Sequence, residues 1–413
     1  MKNETGGQWQ FETRCIHAGE STDTDTRAIR RPIHMANAYE LPTDIDQLLA
    51  VFSWDNLDKF QYTREHSPTP RSLEERLASL EGSEDCIVTA SGMGAISATL
   101  FTLLNAGDHI VATEVCYTGT QGLFGVHLPR FGVDVSLVDT SVIAEVEAAI
   151  TPGTKVVYVE TPGNPLVSIS DIRAVAEVAH KAGALLVVDS TWSGLVTQKP
   201  LELGADVVIH SATKYLNGHG DALGGAVMGS KKLLARIREY GIVHLGACAS
   251  PFNAWLIMRG LVTLPLRMRQ HGENALRVAQ FLKSHELVSS VRYPGLASHP
   301  QYEIAARQMT GHSGMLNFSL KLELLQNFEF IKHLKLIKHA VSLGHDQSLL
   351  IFIPTVFFFD DMVVLDDRQK QKYEKIMGEG VYRLSVGIED VNDIIGDLAQ
   401  ACAAVSQARK DER

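Results

Sequence analysis

Ser211-Ala212-Thr213-Lys214 closes an apolar run, Asp206 to Ile209, near the middle of the chain. A lysine is ordinarily a solvated charge, yet at a strand end inside a cleft it can lose its proton and become a nucleophile. The hydroxyls of Ser211 and Thr213 then stand ready as donors to an anion. Asp189 ends the run Leu185 to Val188 in the same manner. An aspartate there usually caps a helix or turn. Its functional reading is a carboxylate that keeps a ring nitrogen protonated, so that the ring withdraws electrons. Ser91-Gly92-Met93-Gly94 joins a third run to a helix, and small residues there let backbone N–H groups approach a phosphate at the helix's positive end. Alone, that segment reads as an ordinary N-cap. A dinucleotide fingerprint fits poorly, because Ser97 stands where a third glycine would fall.

These clusters need elements to hold them. From about residue 70, short apolar runs alternate with helical segments: a helix Arg71 to Glu81, the run Cys86 to Thr89, a helix from Met93, then runs at His109 to Ala112, Val133 to Val138, Lys155 to Glu160, Ala184 to Asp189, Asp206 to Ile209 and Gly225 to Met228. Continuous Val/Ile/Leu runs between helix-length segments predict an α/β protein with a mostly parallel, seven-stranded sheet covered on both faces. Ligands then belong at the strand carboxyl ends. Ala254 to His285 reads as one long helix, with a linker to a second domain beginning inside it. Beyond it, Val291, Gly314 to Leu320 and Tyr382 to Val386 read as strands of a smaller C-terminal α+β domain, closed by a helix from Val391 to about Gln407. The expected division is an N-terminal extension over 1–65, a large domain over 66–265 and a small domain over 266–413.

With 413 residues, the chain is longer than one core usually serves, and 45% hydrophobic with 21% charged residues is a globular balance. Acidic residues outnumber basic ones, 48 to 38, and no basic block occurs, which argues against nucleic acid or an anionic membrane as partner. Met1 to Cys15 has neither a signal-peptide core nor an Arg-rich amphipathic pattern, and Leu349 to Phe359 is too short and proline-interrupted to span a bilayer. The expectation is a cytoplasmic protein. Its five cysteines are far apart and form no C-x-x-C pair, so neither a disulfide framework nor a metal site is expected.

Taken in order, the markers resemble one family, the pyridoxal 5'-phosphate (PLP) enzymes of cysteine and methionine metabolism. This trans-sulfuration family includes cystathionine synthases and lyases and methionine γ-lyases. The resemblance runs from about residue 13 to 405. It rests on Tyr62-Thr63-Arg64, Ser91-Gly92-Met93, Tyr117, Glu160-Thr161-Pro162 with Asn164-Pro165, Val188-Asp189, Ser211 to Tyr215, Ser250 to Trp255, and Arg383 to Gly387. It implies PLP fold type I, like aspartate aminotransferase. It also implies that Lys214 holds the PLP aldehyde as an imine, Asp189 faces the pyridine nitrogen, Tyr117 stacks on the ring and protonates the leaving group, and Asn164 approaches the phenolic oxygen. Ser91, Gly92, Met93, Ser211 and Thr213 would bind the phosphate, joined by Tyr62 and Arg64 from a neighbouring subunit, in a homotetramer built from dimers that share active sites. Arg383 would grip the substrate carboxylate, with Ser342, Asn164 and Tyr62 beside the substrate.

Within the family the pattern is most similar to that of methionine γ-lyases, through Val341 and Cys248 to Trp255, and the implied reaction is α,γ-elimination on a γ-substituted L-α-amino acid. Alternatives are γ-replacement, as in a cystathionine γ-synthase or O-acyl-homoserine sulfhydrylase, or a cystathionine γ/β-lyase. A nicotinamide oxidoreductase lacks its fingerprint here, and an inactive PLP-binding protein is opposed by the intact Lys214 and Arg383. Several residues depart from the family. Ser67-Pro68-Thr69 replaces Asn-Pro-Thr, Thr118-Gly119 replaces the cysteine after the stacking tyrosine, and Gly344-His345-Asp346-Gln347-Ser348 lacks the usual glutamate. Ile353 to Asp361 carries Phe357-Phe358-Phe359-Asp360-Asp361 in place of the usual stretch. Carboxylates and ring faces suit a guanidinium. His345, Asp346, Asp360 and Asp361 therefore predict a pocket for a cationic leaving group, as in a canavanine γ-lyase that expels hydroxyguanidine from L-canavanine.

Overall fold

The computed structural model describes residues 9–53, 57–356 and 365–411. Phe357 to Asp361, part of the expected cationic pocket, lie outside the described residues. The first sheet contains β1 (Asp85–Thr89), β2 (His109–Thr113), β3 (Asp134–Val138), β4 (Thr154–Glu160), β5 (Leu185–Asp189), β6 (Val207–His210) and β7 (Gly225–Gly229), in the order β1-β7-β6-β5-β4-β2-β3. All run parallel except β7, which is antiparallel to both β1 and β6. Every strand expected from the apolar runs is present, within a residue or so at each end.

Alternation along these strands feeds two cores. Val157, Val159, Leu186, Val188 and Val208 pack into one, and Val156, Tyr158, Val187, Val207 and Ile209 into the other. A side-chain period of two places each set on its own face. Burial on both faces is why the runs are continuously apolar.

The second sheet is smaller: β8 (Val288–Arg292), β9 (Met315–Leu320), β10 (Lys338–His339), β11 (Leu349–Pro354) and β12 (Gly380–Ser385), ordered β10-β11-β12-β9-β8 and antiparallel except for β10 with β11. Phe318 and Tyr382 stack across β9 and β12 with ring centroids 4.8 Å apart, at the centre of a third core. The C-terminal helix, Val391–Asp411, covers it with Ile394, Leu398 and Ala401.

The segment expected as one helix is two, Pro251–Val262 and Leu264–Ser284, broken at Thr263. Pro265 explains the break: a proline lacks the N–H for an internal helix bond but is accommodated in a first turn. The second of these helices gives Leu264 and Met268 to a core of the first sheet, and Ala275, Val278, Ala279 and Leu282 to the core of the second. Among the described residues no helix is long and apolar enough to cross a membrane. All five cysteines are free.

Candidate active site

The carboxyl ends of β1, β4, β5 and β6 converge with β12 of the second sheet. β1 delivers Ser91, whose Oγ accepts the Gly94 N–H at 3.0 Å and caps the helix Gly92–Leu103. A Cβ on Gly92 would stand 2.9 Å from Ser211 Oγ, so only glycine lets this turn approach the segment after β6. Ser211 donates its N–H to Thr191 Oγ1 at 2.8 Å, and Thr191 donates to Asp189 Oδ1 from its hydroxyl at 2.6 Å and its N–H at 3.0 Å. Three strand ends are thereby locked to one another. Thr213's hydroxyl is engaged with Gly224, accepting its N–H at 3.0 Å and lying 3.2 Å from its carbonyl.

Asp189 is 5% exposed, and Tyr158 Oη lies 3.3 Å from its Oδ2. Its neighbour in register is Glu160, whose Oε2 accepts the Tyr117 N–H at 2.9 Å and Oε1 the Asn164 N–H at 2.8 Å. Burial raises the pKa of both carboxyls. The charge of Asp189 adds to the rise at Glu160, and the donated hydrogen bonds act in opposition at both. Tyr117 is 48% exposed. A Cβ on Gly119 would meet the Tyr117 ring at 2.7 Å and Met93 Sδ at 3.1 Å, which brings Met93 and Tyr117 to the same wall.

Lys214 donates from Nζ to Ser342 Oγ at 2.8 Å. Burial, and then the charge of Arg383, lower its pKa to about 8. Arg383 reaches in from β12: Nη1 donates to Asn164 Oδ1 at 3.0 Å and Nη2 to the Ser342 carbonyl at 3.1 Å, while Nε is buried without a partner among the described residues. Burial lowers the Arg383 pKa to about 10.

Lys214, Asp189, Asn164, Arg383, Ser342, Tyr117, Ser91, Gly92, Met93, Ser211 and Thr213 thus lie around one centre. Tyr62 and Arg64 stand apart from it. Tyr62 is 42% exposed, the Arg64 guanidinium lies 5.4 Å from its ring centroid, and Arg64 Nη1 donates to the Val243 carbonyl at 2.6 Å.

Two residues had escaped the sequence reading in these roles. Glu160, quoted there only as part of a motif, orients both Tyr117 and Asn164; its place at a strand end beside Asp189 was the available signal. His345, expected near the distal end of a substrate, lies 3.1 Å from Ser342 Oγ through Nε2, a contact the sequence did not suggest. Asp346 is spent locally: it accepts the Gln347 N–H at 3.1 Å, and its charge acts on Arg267 and His345.

The set fits PLP. Asp189 is a buried carboxylate without a cationic partner among the described residues, as a protonated ring nitrogen requires. The Gly92 turn opens backbone N–H groups at a helix N-terminus, as a phosphate requires. Lys214 is an amine with a depressed pKa, as an aldehyde requires.

Comparison with known proteins agrees. The family model described as "Cys/Met metabolism PLP-dependent enzyme" matches residues 12–403. A canavanine γ-lyase of Pseudomonas canavaninivorans is 39% identical over 94% of this chain and 95% of its own length. An L-methionine γ-lyase of Porphyromonas gingivalis is 42% identical over 96% and 98%. The crystal structure of a cystathionine γ-lyase from Lactobacillus plantarum, complexed with L-serine, superposes with a TM-score of 0.86 at 37% identity, covering 96% of this chain and 100% of that one. With its lysine, its buried aspartate and its fold in agreement across nearly the whole length, the chain belongs to the Cys/Met metabolism PLP-dependent enzymes and is a PLP-dependent lyase.

Proposed function

We propose that this lyase is a γ-lyase, catalysing α,γ-elimination on a γ-substituted L-α-amino acid. The observation that carries the reading is the joint tenancy of Ser342, whose hydroxyl meets Lys214 and whose carbonyl meets Arg383. An amine and a carboxylate-binding guanidinium are thereby held one residue apart, the spacing an α-amino acid needs. Arg383 binds the substrate carboxylate through its fork, with the unpaired Nε as a further donor. PLP, when bound, withdraws electrons from the amino acid's Cα and Cβ. Lys214, as the free amine, would take the proton from Cα, deliver it to the C4' carbon of the bound cofactor and, neutral again, take the next proton from Cβ. Tyr117, half exposed at the mouth, protonates the leaving group as the Cγ bond breaks. Asp189 would keep the ring nitrogen protonated, Asn164 would approach the phenolic oxygen, and Ser91, Gly92, Met93, Ser211 and Thr213 would hold the phosphate.

L-canavanine is the substrate we assign, with water added and hydroxyguanidine released, leaving homoserine, or 2-oxobutyrate with ammonia. Support comes from relatives named canavanine γ-lyase at 39% and 41% identity. L-methionine is the second reading, favoured by Val341, which is 71% exposed and puts no carboxylate beside Ser342, and by the relatives named L-methionine γ-lyase. Measuring kcat/KM for L-canavanine beside L-methionine, L-homocysteine and L-cystathionine decides between them. Canavanine is expected to lead; methionine or homocysteine ahead by about tenfold would overturn the assignment.

The reading extends to a cytoplasmic homotetramer built from dimers whose subunits exchange Tyr62 and Arg64. Ile29, Met35, Ile45 and Leu49 are exposed on the same N-terminal segment, an apolar surface suited to a second copy.

A further inference from the structure

Ser342 offers one hydroxyl to two neighbours, Lys214 Nζ at 2.8 Å and His345 Nε2 at 3.1 Å. A hydroxyl has one proton to give. With Lys214 donating to Oγ, that proton goes to the imidazole, and the oxygen's lone pairs stay turned to the amine. The arrangement is held from both sides. Ser342 sits at φ +80°, a conformation that non-glycine residues rarely adopt, and its carbonyl is tied to Arg383. The His345 ring lies against Gly220, where a Cβ would come within 2.8 Å of it. We propose that His345 is a positioning residue for Lys214: it orients the Ser342 hydroxyl as an acceptor and passes the amine's proton to solvent. This rests on Lys214 being the working amine.

The transfer balances. An Nζ–H bond breaks as an Oγ–H bond forms, the other Oγ–H breaks as Nε2–H forms, and the positive charge moves from ammonium to imidazolium. Lys214 and Arg383 are the cations on this relay; Asp346 on the same loop and Asp221 after the lysine segment face His345 with negative charge. Arg267 stands beyond Asp346. Burial and the Lys214 charge lower the His345 pKa against those two carboxylates, which keeps the ring a neutral acceptor at neutral pH. Once protonated, the ring donates from both nitrogens and can no longer accept from Ser342.

Two variants of the full chain test this. One readout is the pH dependence of Lys214 acylation in the PLP-free protein, followed by peptide mass spectrometry. The other is the pH profile of kcat/KM in the PLP-loaded enzyme. His345→Ala frees the hydroxyl to donate to the neutral amine, so the Lys214 pKa is expected to fall by about half a unit to one unit. His345→Gln keeps an acceptor that does not titrate: Lys214 should titrate as in wild type, while the acid-side loss of kcat/KM that ring protonation causes, below the ordinary histidine range, disappears. If His345→Ala does not fold, the glutamine variant carries the test alone. An unchanged acid limb in His345→Gln, or an unchanged Lys214 pKa in a folded His345→Ala, overturns the proposal. Turnover retained by Lys214→Ala would instead overturn the reading of the site itself.

Discussion

Lys214 and Lys199 are both half-buried, and both have pKa values below that of an ordinary lysine, yet their neighbours give them opposite work. Lys199 donates to the Leu80 carbonyl at 2.5 Å, with Glu81 at 3.8 Å and the Phe11 ring centroid at 4.9 Å, so its charge is compensated. Lys214 has a neutral hydroxyl as its partner, and burial together with the charge of Arg383 favours loss of its proton. With a pKa of about 8, roughly a tenth of it is neutral at pH 7, against about one part in three thousand for a free lysine. Its reactivity toward an amine reagent in the PLP-free protein should therefore climb with pH and level off above about 8; a climb continuing past pH 10 would contradict the depressed value. Arg383→Ala removes a neighbouring positive charge and should move that titration upward. The same variant should raise KM by about a hundredfold or more with a smaller loss in kcat, since a carboxylate clamp binds ground and transition states alike. An unchanged KM in a stable protein would contradict the clamp. At this scale Lys214 and Asp189 were legible in the sequence because one follows and the other closes a strand, and Arg383, inside β12, through the family resemblance. The contact of His345 with Ser342 was not, since it depends on the positive φ at Ser342 and on space left by Gly220.

The elements of the first sheet were legible because burial on both faces makes a strand continuously apolar. The failures have physical causes as well. β11 is equally apolar, but the sequence continues into Phe357-Phe358-Phe359, which masks its end. Pro354 is the last residue of β11, the second strand of the sheet, and is tolerated because the two-residue β10 pairs only with Leu349 and Leu350 at the other end of β11. The break at Thr263 was hidden because Pro265, two residues on, is tolerated inside a first turn. A third feature, the setting of β1, comes from charge. Glu74, on the helix Pro68–Glu81, pairs with Arg238 at 2.9 and 3.1 Å and with Arg71 at 3.2 Å, and accepts the Val88 N–H at 3.1 Å, while Asp85 pairs with both arginines. This buried set anchors the strand that ends in Ser91 and Gly92. Glu74→Ala leaves Arg238 buried without its main partner and should cost about 3–5 kcal/mol. A urea titration should register it as a lower midpoint at unchanged slope; a midpoint equal to wild type would contradict the anchoring role.

Across the whole molecule, the site joins two sheets: Lys214 and Asn164 follow strands of the first, and Arg383 lies on β12 of the second. The Leu264–Ser284 helix, packed into both cores, holds the two in register. If Arg64 completes the site of a neighbouring subunit, Lys214→Ala and Arg64→Ala proteins should each be nearly inactive, yet recover about a quarter of wild-type activity when unfolded and refolded together, because half of the random dimers carry one intact site. No recovery would place Arg64 in its own subunit's chemistry or outside it. The most direct measurement is to reduce the PLP-loaded protein with borohydride, digest it and locate the phosphopyridoxyl group by mass spectrometry. The group is expected on the peptide carrying Lys214 and absent from the one carrying Lys199. Label on Lys199, or on any lysine other than Lys214, would contradict the site described.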